Sequence, residues 1–315
     1  MSEPIIPRLF RERYRKILGN EVKRFIEYCK KPLTKSIRIN TLKIEKEKCL
    51  ELLEARGWKL KQVPWYENGY WVVDRGKAIE EEQLGNTLEH FMGYFYIQEA
   101  SSMIPPVVLC PEEKDYILDM AAAPGSKTTQ MAEMMKNKGC IIANDVQIAR
   151  LKILRFNIEK LGVMNAVVTR MDGRKFKKFK DRFDKVLIDA PCSSEGTIRK
   201  DWKVLSRWSI KVIKGMTSIQ KRLLEAAIIS VKRGGTVVYS TCTLAPEENE
   251  AVIDYVLKKF DNVEVEKINL PGLKTREGIT EWENKEFDER VRLTARIWPQ
   301  DNDTEGFFVA KLVKV

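Results

Sequence analysis

The apolar positions keep helical rhythm first. Between Arg8 and Lys31, the residues Leu9, Phe10, Tyr14, Ile17, Leu18, Val22, Phe25 and Ile26 recur at helical spacing, which predicts two amphipathic helices broken near Gly19-Asn20. After Pro32 the run from Ser36 to Leu42 alternates as a strand does. Glu45 to Arg56 is helical again, with Cys49, Leu52 and Leu53 on one face and Gly57 placed to stop it. Two further strands, Trp58 to Val63 and Tyr70 to Val73, flank a segment ending in Asn68-Gly69, a dipeptide that predicts a hairpin turn. These elements form a small α+β unit ending before about residue 95.

From Asp115 the pattern becomes strand, helix, strand, helix. Strands are predicted over Tyr116 to Met120, Cys140 to Ala143, Ala166 to Thr169, Lys185 to Ile188 and Thr236 to Tyr239, with closing strands at Val263 to Val265 and Phe307 to Leu312. Between them come helices at Gly125 to Lys136, at a stripe of Ile148, Leu151, Leu154, Ile158 and Leu161 ended by Gly162, and at Ile219 to Val231 closed by Gly234-Gly235. A last helix carries Val252, Ile253, Val256 and Leu257, with Pro246 suited to its first turn. Such alternation predicts an α/β fold with a mostly parallel, doubly wound sheet. The expected organisation is an N-terminal region over 1–105 and a catalytic domain over 106–315.

A formal net charge of +11 adds a polyanionic partner to this picture, nucleic acid first among candidates. Surface ion-pair networks of a heat-adapted protein would give a similar Lys and Glu content. Arg11, Arg13, Arg15 and Lys16 form a patch suited to phosphates, and the Trp and Tyr residues of the small unit could stack on bases or fill its core. Six cysteines without a C-x-x-C pair, and His90 as the one histidine, argue against a structural zinc site, so no metal is expected. No apolar run is long enough for a membrane span and no leader pattern is present, so a cytoplasmic protein with reduced thiols is expected.

The candidate chemistry sits where strands end. Four successive tips carry acids: Asp119, Asp145, Asp172 and Asp189. In an open α/β sheet ligands collect outside the carboxyl ends of the strands, and an acid after the second strand suits ribose hydroxyls. Ala121-Ala122-Ala123-Pro124-Gly125-Ser126-Lys127-Thr128 uses small side chains that let backbone approach a ligand, and it matches neither G-x-G-x-x-G nor a P-loop. One acid per tip disfavours pyrophosphate and favours an adenosyl ligand such as S-adenosylmethionine, whose sulfonium is cationic; taken singly, each acid could equally cap a helix. Asp189, Cys192 and Glu195 crowd the tip of VLIDAPCSSEGT, and Cys242 lies at the next one. Two thiols beside a methyl donor suit attack on carbon 6 of a pyrimidine, which activates carbon 5; the residues alone do not say which thiol attacks.

The motifs LDMAAAPGSKTTQ (Leu118 to Gln130), DAPCSSEG (Asp189 to Gly196) and STCT (Ser240 to Thr243), with the weaker SIRINTLK, YIQEASSM and GFFVAKL, resemble the Sun/NSUN family of RNA cytosine-5 methyltransferases, most of all its archaeal tRNA enzymes. The resemblance implies a Rossmann-like S-adenosylmethionine-dependent fold, with Cys242 as nucleophile and Cys192 assisting product release. It implies that Asp189 engages the target base and that Lys127 sits between cofactor and catalytic groups. Ala121, Ala122, Ala123, Pro124, Gly125, Ser126, Lys127, Asp145, Arg150, Asp172 and Asp189 would line the cofactor site. RNA, and tRNA in particular, is the implied partner of a monomer preceded only by its compact N-terminal unit, and no residue argues for a helper protein. The same reaction on rRNA, a non-catalytic RNA-binding factor on this fold and a nucleotide hydrolase built on Gly125-Ser126-Lys127-Thr128 are the competing readings.

Overall fold

A computed structural model describes residues 6–75 and 84–315. The first helix spans Arg8–Leu18, a short 3-10 turn occupies Gly19–Glu21, and a second helix spans Val22–Lys30, so the predicted break falls at Gly19. Their apolar faces pack Phe10, Tyr14, Phe25 and Cys29 against Ile198, Leu205, Leu244 and Trp298 of the larger domain. Arg13 departs from the expected phosphate patch. It is buried, pairs with Glu247 and lies over the Trp282 ring, while Arg11, Arg15 and Lys16 remain exposed.

Four strands make the small sheet: β1 (Ser36–Ile39), β2 (Lys59–Gln62), β3 (Gly69–Asp74) and β4 (Phe95–Ile97), in the order β2-β3-β1-β4 and antiparallel throughout. The helix Lys46–Ala55 covers it and ends at Gly57, whose positive φ of 83° costs a glycine little. Asn68-Gly69 is not the centre of the turn. Gly69 already pairs with Arg38 in β3, where a Cβ would meet the Met103 sulfur at 2.7 Å, and Asn68 turns inward to donate to Glu133 at 2.6 Å. Trp58, Trp65, Tyr66 and Tyr70 are buried, so these aromatics form core rather than a stacking platform.

The large sheet has nine strands. Its parallel part comprises β5 (Tyr116–Asp119), β6 (Cys140–Asn144), β7 (Ala166–Thr169), β8 (Phe183–Asp189) and β9 (Val231–Thr241), in the order β7-β6-β5-β8-β9. The chain therefore leaves β5 toward β6 on one side and returns to β8 on the other, which makes the β5 tip a topological switch point. Beyond β9 the sheet turns antiparallel through β10 (Val263–Glu266), β11 (Arg276–Glu277), β14 (Ala295–Ile297) and β15 (Phe307–Lys314), while β12 (Glu281–Trp282) and β13 (Lys285–Glu286) pair separately. The architecture is thus a Rossmann-like mixed α/β sheet with a smaller α+β unit; the strand-helix alternation predicts the doubly wound parallel part, and the antiparallel extension goes beyond the mostly parallel sheet expected.

Several local expectations shift. Gly234-Gly235 does not close a helix; Ile210–Ser230 ends at Ser230, and both glycines lie inside β9 where its register with β8 slips. Pro246 precedes the helix Glu250–Lys259 rather than entering its first turn. Ile148 opens the helix Ile148–Lys160 but is exposed, whereas Leu151, Leu154, Ile158 and Leu161 are buried. Between the two sheets Arg38 is fully buried. Its guanidinium donates to Gln98 (2.9 Å), Thr129 (2.7 Å) and Glu133 (2.5 Å), and Glu133 also accepts from Asn68 and Thr41. Among the described residues no helix is long and apolar enough to cross a membrane.

Candidate active site

β5 ends at Asp119 and opens into Ala121 to Gly125, the segment before the helix Ser126–Met134. Gly125 takes φ 109°, and a Cβ there would press on Leu154 at 3.0 Å, so the small residue is required by both backbone and packing. The loop is pinned from outside: Ala122 N donates to Asn144 O (2.7 Å), Arg150 donates to Ala123 O, and Asn157 donates to Pro124 O (2.9 Å). Asp119 does not line an open surface. It is buried, accepts from Thr128 Oγ1 at 2.6 Å, and burial pushes its carboxyl up to about 7.

Asp145 follows β6 and is 2% exposed. Its Oδ1 accepts from Gln147 N, whereas Oδ2 lies 3.2 Å from the Arg150 guanidinium without accepting a hydrogen bond. A buried carboxylate oxygen left without a hydrogen-bond donor beside a small-residue loop fits the hydroxyls of a ribose. Asp172 is differently engaged. It caps the 3-10 turn Gly173–Lys178, its carboxylate is held by the Arg174 guanidinium, and that pairing draws its carboxyl below the usual range.

The next tip carries the polar centre. Lys127, buried at the start of its helix, donates from Nζ to Asp189 Oδ2 (2.6 Å) and to Ser102 Oγ (3.0 Å), and lies 5.6 Å from the Phe307 ring centre. Ser240 Oγ donates to the other oxygen of Asp189 at 2.9 Å. β8 and β9 run parallel with Asp189 opposite Ser240, so the loops that follow bring Cys192 Sγ within 3.3 Å of Cys242 Sγ. Both thiols are free and partly exposed. The Cys242 thiol is drawn below its ordinary value, first because Cys192 hydrogen-bonds to it and further by Ser194 and the Lys127 charge. The same contact and burial push the Cys192 thiol well up. One sulfur is therefore favoured as thiolate and its neighbour keeps the proton.

Both thiol loops are rigidly held. Ser193 donates from N (3.0 Å) and Oγ to Glu248, which also accepts from Gln220 and is pushed up to about 7 by burial. Gly196 N donates to Cys242 O at 2.8 Å and Gly306 N to Gly196 O at 3.0 Å; a Cβ on Gly196 would strike Gly306 O at 1.9 Å. Glu195, expected beside the thiols, turns away instead. It is buried and accepts from Tyr14 (2.6 Å), Trp208 (2.6 Å) and Thr243 (3.1 Å), tying the first helix to the thiol loop.

Lys127, Asp189, Cys192 and Cys242 are thus brought together, and Ala121 to Ser126 with Asp145 and Arg150 form an adjoining cradle. Asp172 is not bonded to that cradle; its neighbours Met171 and Thr169 are, through Asn144, whose Oδ1 accepts from Met171 N (2.8 Å) and Thr169 Oγ1 (3.2 Å). Ser102, Ser240 and Glu305 were not singled out from the sequence. Ser102 stands inside YIQEASSM and Ser240 inside STCT, so asking what each motif's polar residue bonds would have found them.

Two families cover most of the chain. The family described as 16S rRNA methyltransferase RsmB/F matches residues 106–313, and the N-terminal domain of 16S rRNA methyltransferase RsmF matches residues 6–100. The chain is 49% identical to the tRNA (cytosine(49)-C(5))-methyltransferase of Pyrococcus abyssi, over 96% of its own length and 94% of that protein. It is 47% identical to ribosomal RNA small subunit methyltransferase F of Shewanella piezotolerans, over 92% of its own length but 60% of that larger relative. Among solved structures, a methyltransferase homologue from Pyrococcus horikoshii superposes with a TM-score of 0.86 at 37% identity, covering 98% of this chain and 95% of that one. NSun6 from the same organism, crystallised with SFG, gives a TM-score of 0.82 at 29% identity and 98% coverage of both. With the first of these families matched over residues 106–313 and the Pyrococcus abyssi relative matched almost end to end, the chain belongs to the RsmB/F (Sun/NSUN) family of methyltransferases.

Proposed function

We propose that this protein transfers a methyl group from S-adenosylmethionine to carbon 5 of cytosine in RNA, through a covalent adduct between Cys242 and carbon 6. The observation that carries it is the pair of thiols 3.3 Å apart beside the Lys127–Asp189 ion pair. When bound, S-adenosylmethionine supplies an electrophilic methyl group. Everything else is done by the chain. The Cys242 thiolate adds to carbon 6 and pushes the electrons of the C5=C6 bond onto carbon 5. Asp189, oriented by Lys127 and Ser240, accepts a hydrogen bond from the ring's amino group and holds the pyrimidine against the thiolate. Cys192, which keeps its proton, hydrogen-bonds the Cys242 sulfur as it departs from the product.

Asp145 and Arg150 beside Ala121 to Gly125 suit the adenosine end of the donor, with Asp172 at the rim. We assign RNA holding to residues 1–105, with Arg11, Arg15 and Lys16 at phosphates, and chemistry to 106–315. A base stacked in structured RNA must be extruded to reach the thiols. A tRNA substrate is favoured because the Pyrococcus relative named for tRNA matches over nearly its full length. The competing rRNA reading is favoured by the family descriptions and by the bacterial relative. Methylation of pooled tRNA and small-subunit rRNA transcripts, followed by bisulfite mapping, tests both. New 5-methylcytosine in tRNA alone is expected; none in either RNA would refute the proposal, and none with Cys242→Ala supports the nucleophile.

A further inference from the structure

Release of the product requires a group that removes the proton from carbon 5, and the thiols do not supply it. Contact with Cys242 and burial push the Cys192 thiol up, and in the reading above that thiol serves as donor to the departing Cys242 sulfur 3.3 Å away. The carboxylates around the thiols are mostly committed. Asp189 accepts from Lys127 and Ser240 and, in the reading above, turns its remaining lone pairs to the base's amino group; both oxygens of Glu248 accept from Ser193 and Gln220, and Glu195 is held by Tyr14, Trp208 and Thr243.

Glu305 differs. It stands two residues before Phe307 at the mouth of β15, which pairs with β9 so that Phe308 faces Thr241. Its neighbour Gly306 is bonded through Gly196 to the carbonyl of Cys242, which fixes Glu305 against the thiol loop. The residue is 6% exposed, and Oε1 is buried with no hydrogen-bond partner. Behind it lies Glu99, whose Oε1 accepts from Glu305 N at 3.3 Å and whose Oε2 is fixed by Ser101 and Ser102. Ser102 Oγ in turn accepts from Lys127, so Glu99 is linked through Ser102 to the Lys127–Asp189 pair. A buried oxygen with no partner, held next to the thiol loop through Gly306 and Gly196, is poised for a proton that arrives only during reaction.

We propose that Glu305, backed by Glu99, accepts the proton from carbon 5 of the methylated base. The C5–H bond breaks and its electron pair forms the C5=C6 bond. The C6–S pair leaves with Cys242 as thiolate, and the proton passes to the Glu305 carboxylate and thence to water. The charged groups facing Glu305 set its affinity for protons: burial first, then the Glu99 and Cys242 charges, raise it to about 8 against the opposing charges of Lys200 and Lys127. A carboxyl titrating near neutrality can both take and release a proton at working pH.

This inference rests on the cytosine-5 reading above, and the test separates the two. Pooled tRNA and small-subunit rRNA transcripts tritiated at carbon 5 of cytosine would be incubated with S-adenosylmethionine, following tritium release and the denaturant-stable protein–RNA band. Glu305→Gln, which keeps the main-chain contact to Glu99, is expected to form the adduct as wild type does but to release tritium about 100-fold more slowly. Glu305→Asp should restore part of that rate. Glu99→Gln should move the acidic limb of tritium release to lower pH, because a neutral neighbour lowers the affinity of Glu305 for protons. Wild-type tritium release from Glu305→Gln, or adduct loss as complete as in Cys242→Ala, would overturn the role of Glu305 alone. No tritium release by the wild-type protein would overturn the underlying reading as well.

Discussion

Replacing Arg38 by Met tests how the small sheet is fastened to the large one. The Arg38–Glu133 pair is fully buried and joins β1 to the helix that carries Lys127. Burial already pushes the Glu133 carboxyl up even with Arg38 beside it. Removing the cation leaves Glu133 to neutral donors such as Asn68 and Thr41, and breaking one side of a buried pair costs about 3–5 kcal/mol. At roughly 2–4 °C per kcal/mol for a chain of this size, the melting midpoint should fall by about 10 °C. Calorimetric melting of Arg38→Met, Glu133→Leu and the double variant checks this. The double variant should regain at least half of the loss, since it strands no charge. A single variant within about 1 kcal/mol of wild type, or a double variant whose losses simply add, would refute the reasoning.

Two further outcomes concern pH. The folded carboxyl of Asp119 sits at about 7 against an ordinary 3.8, so the native state holds its proton more tightly than the unfolded chain does. Its contribution is full below about pH 4 and is lost as pH rises toward 7; Asp119→Asn should flatten that decline in chemical denaturation, and an unchanged slope would contradict the assignment. The Lys127 cation helps to hold Cys242 as thiolate, so Lys127→Met should move the acidic limb of adduct formation to higher pH, as read by iodoacetamide rates at the Cys242 peptide.

The alternation of strands and helices was legible because the central parallel strands carry buried apolar runs such as Val186-Leu187-Ile188, and even the edge strand Ala166 to Thr169, with Val167 exposed, keeps its β-branched residues. β4 was not, since Phe95–Ile97 is three residues long and owes its pairing to β1, far away in sequence. β11 to β14 are two or three residues each and leave no periodic trace. Asn68 and Ile148 show the same limit from the other side. A turn signal yielded to a tertiary bond with Glu133, and a helical stripe ran one turn beyond the core.

At the site, the thiols and Asp189 were legible because chemistry confines them to short motifs at strand tips. The partners of those motifs were not. Glu195 belonged by spacing with Cys192, yet Tyr14, 181 residues away, draws it into the aromatic core. Glu99 and Glu305 lie 206 residues apart and meet only because YIQEASSM and the turn before GFFVAKL close over Lys127.

The central claim is that two thiols divide attack and release. Cys192→Ala protein incubated with S-adenosylmethionine and RNA transcript, then digested and analysed by mass spectrometry, tests it most directly. The expected result is accumulation of a covalent protein–RNA complex in which a methylated cytosine is attached to the peptide bearing Cys242. Attachment at another residue, or free methylated RNA at the wild-type rate, would contradict it.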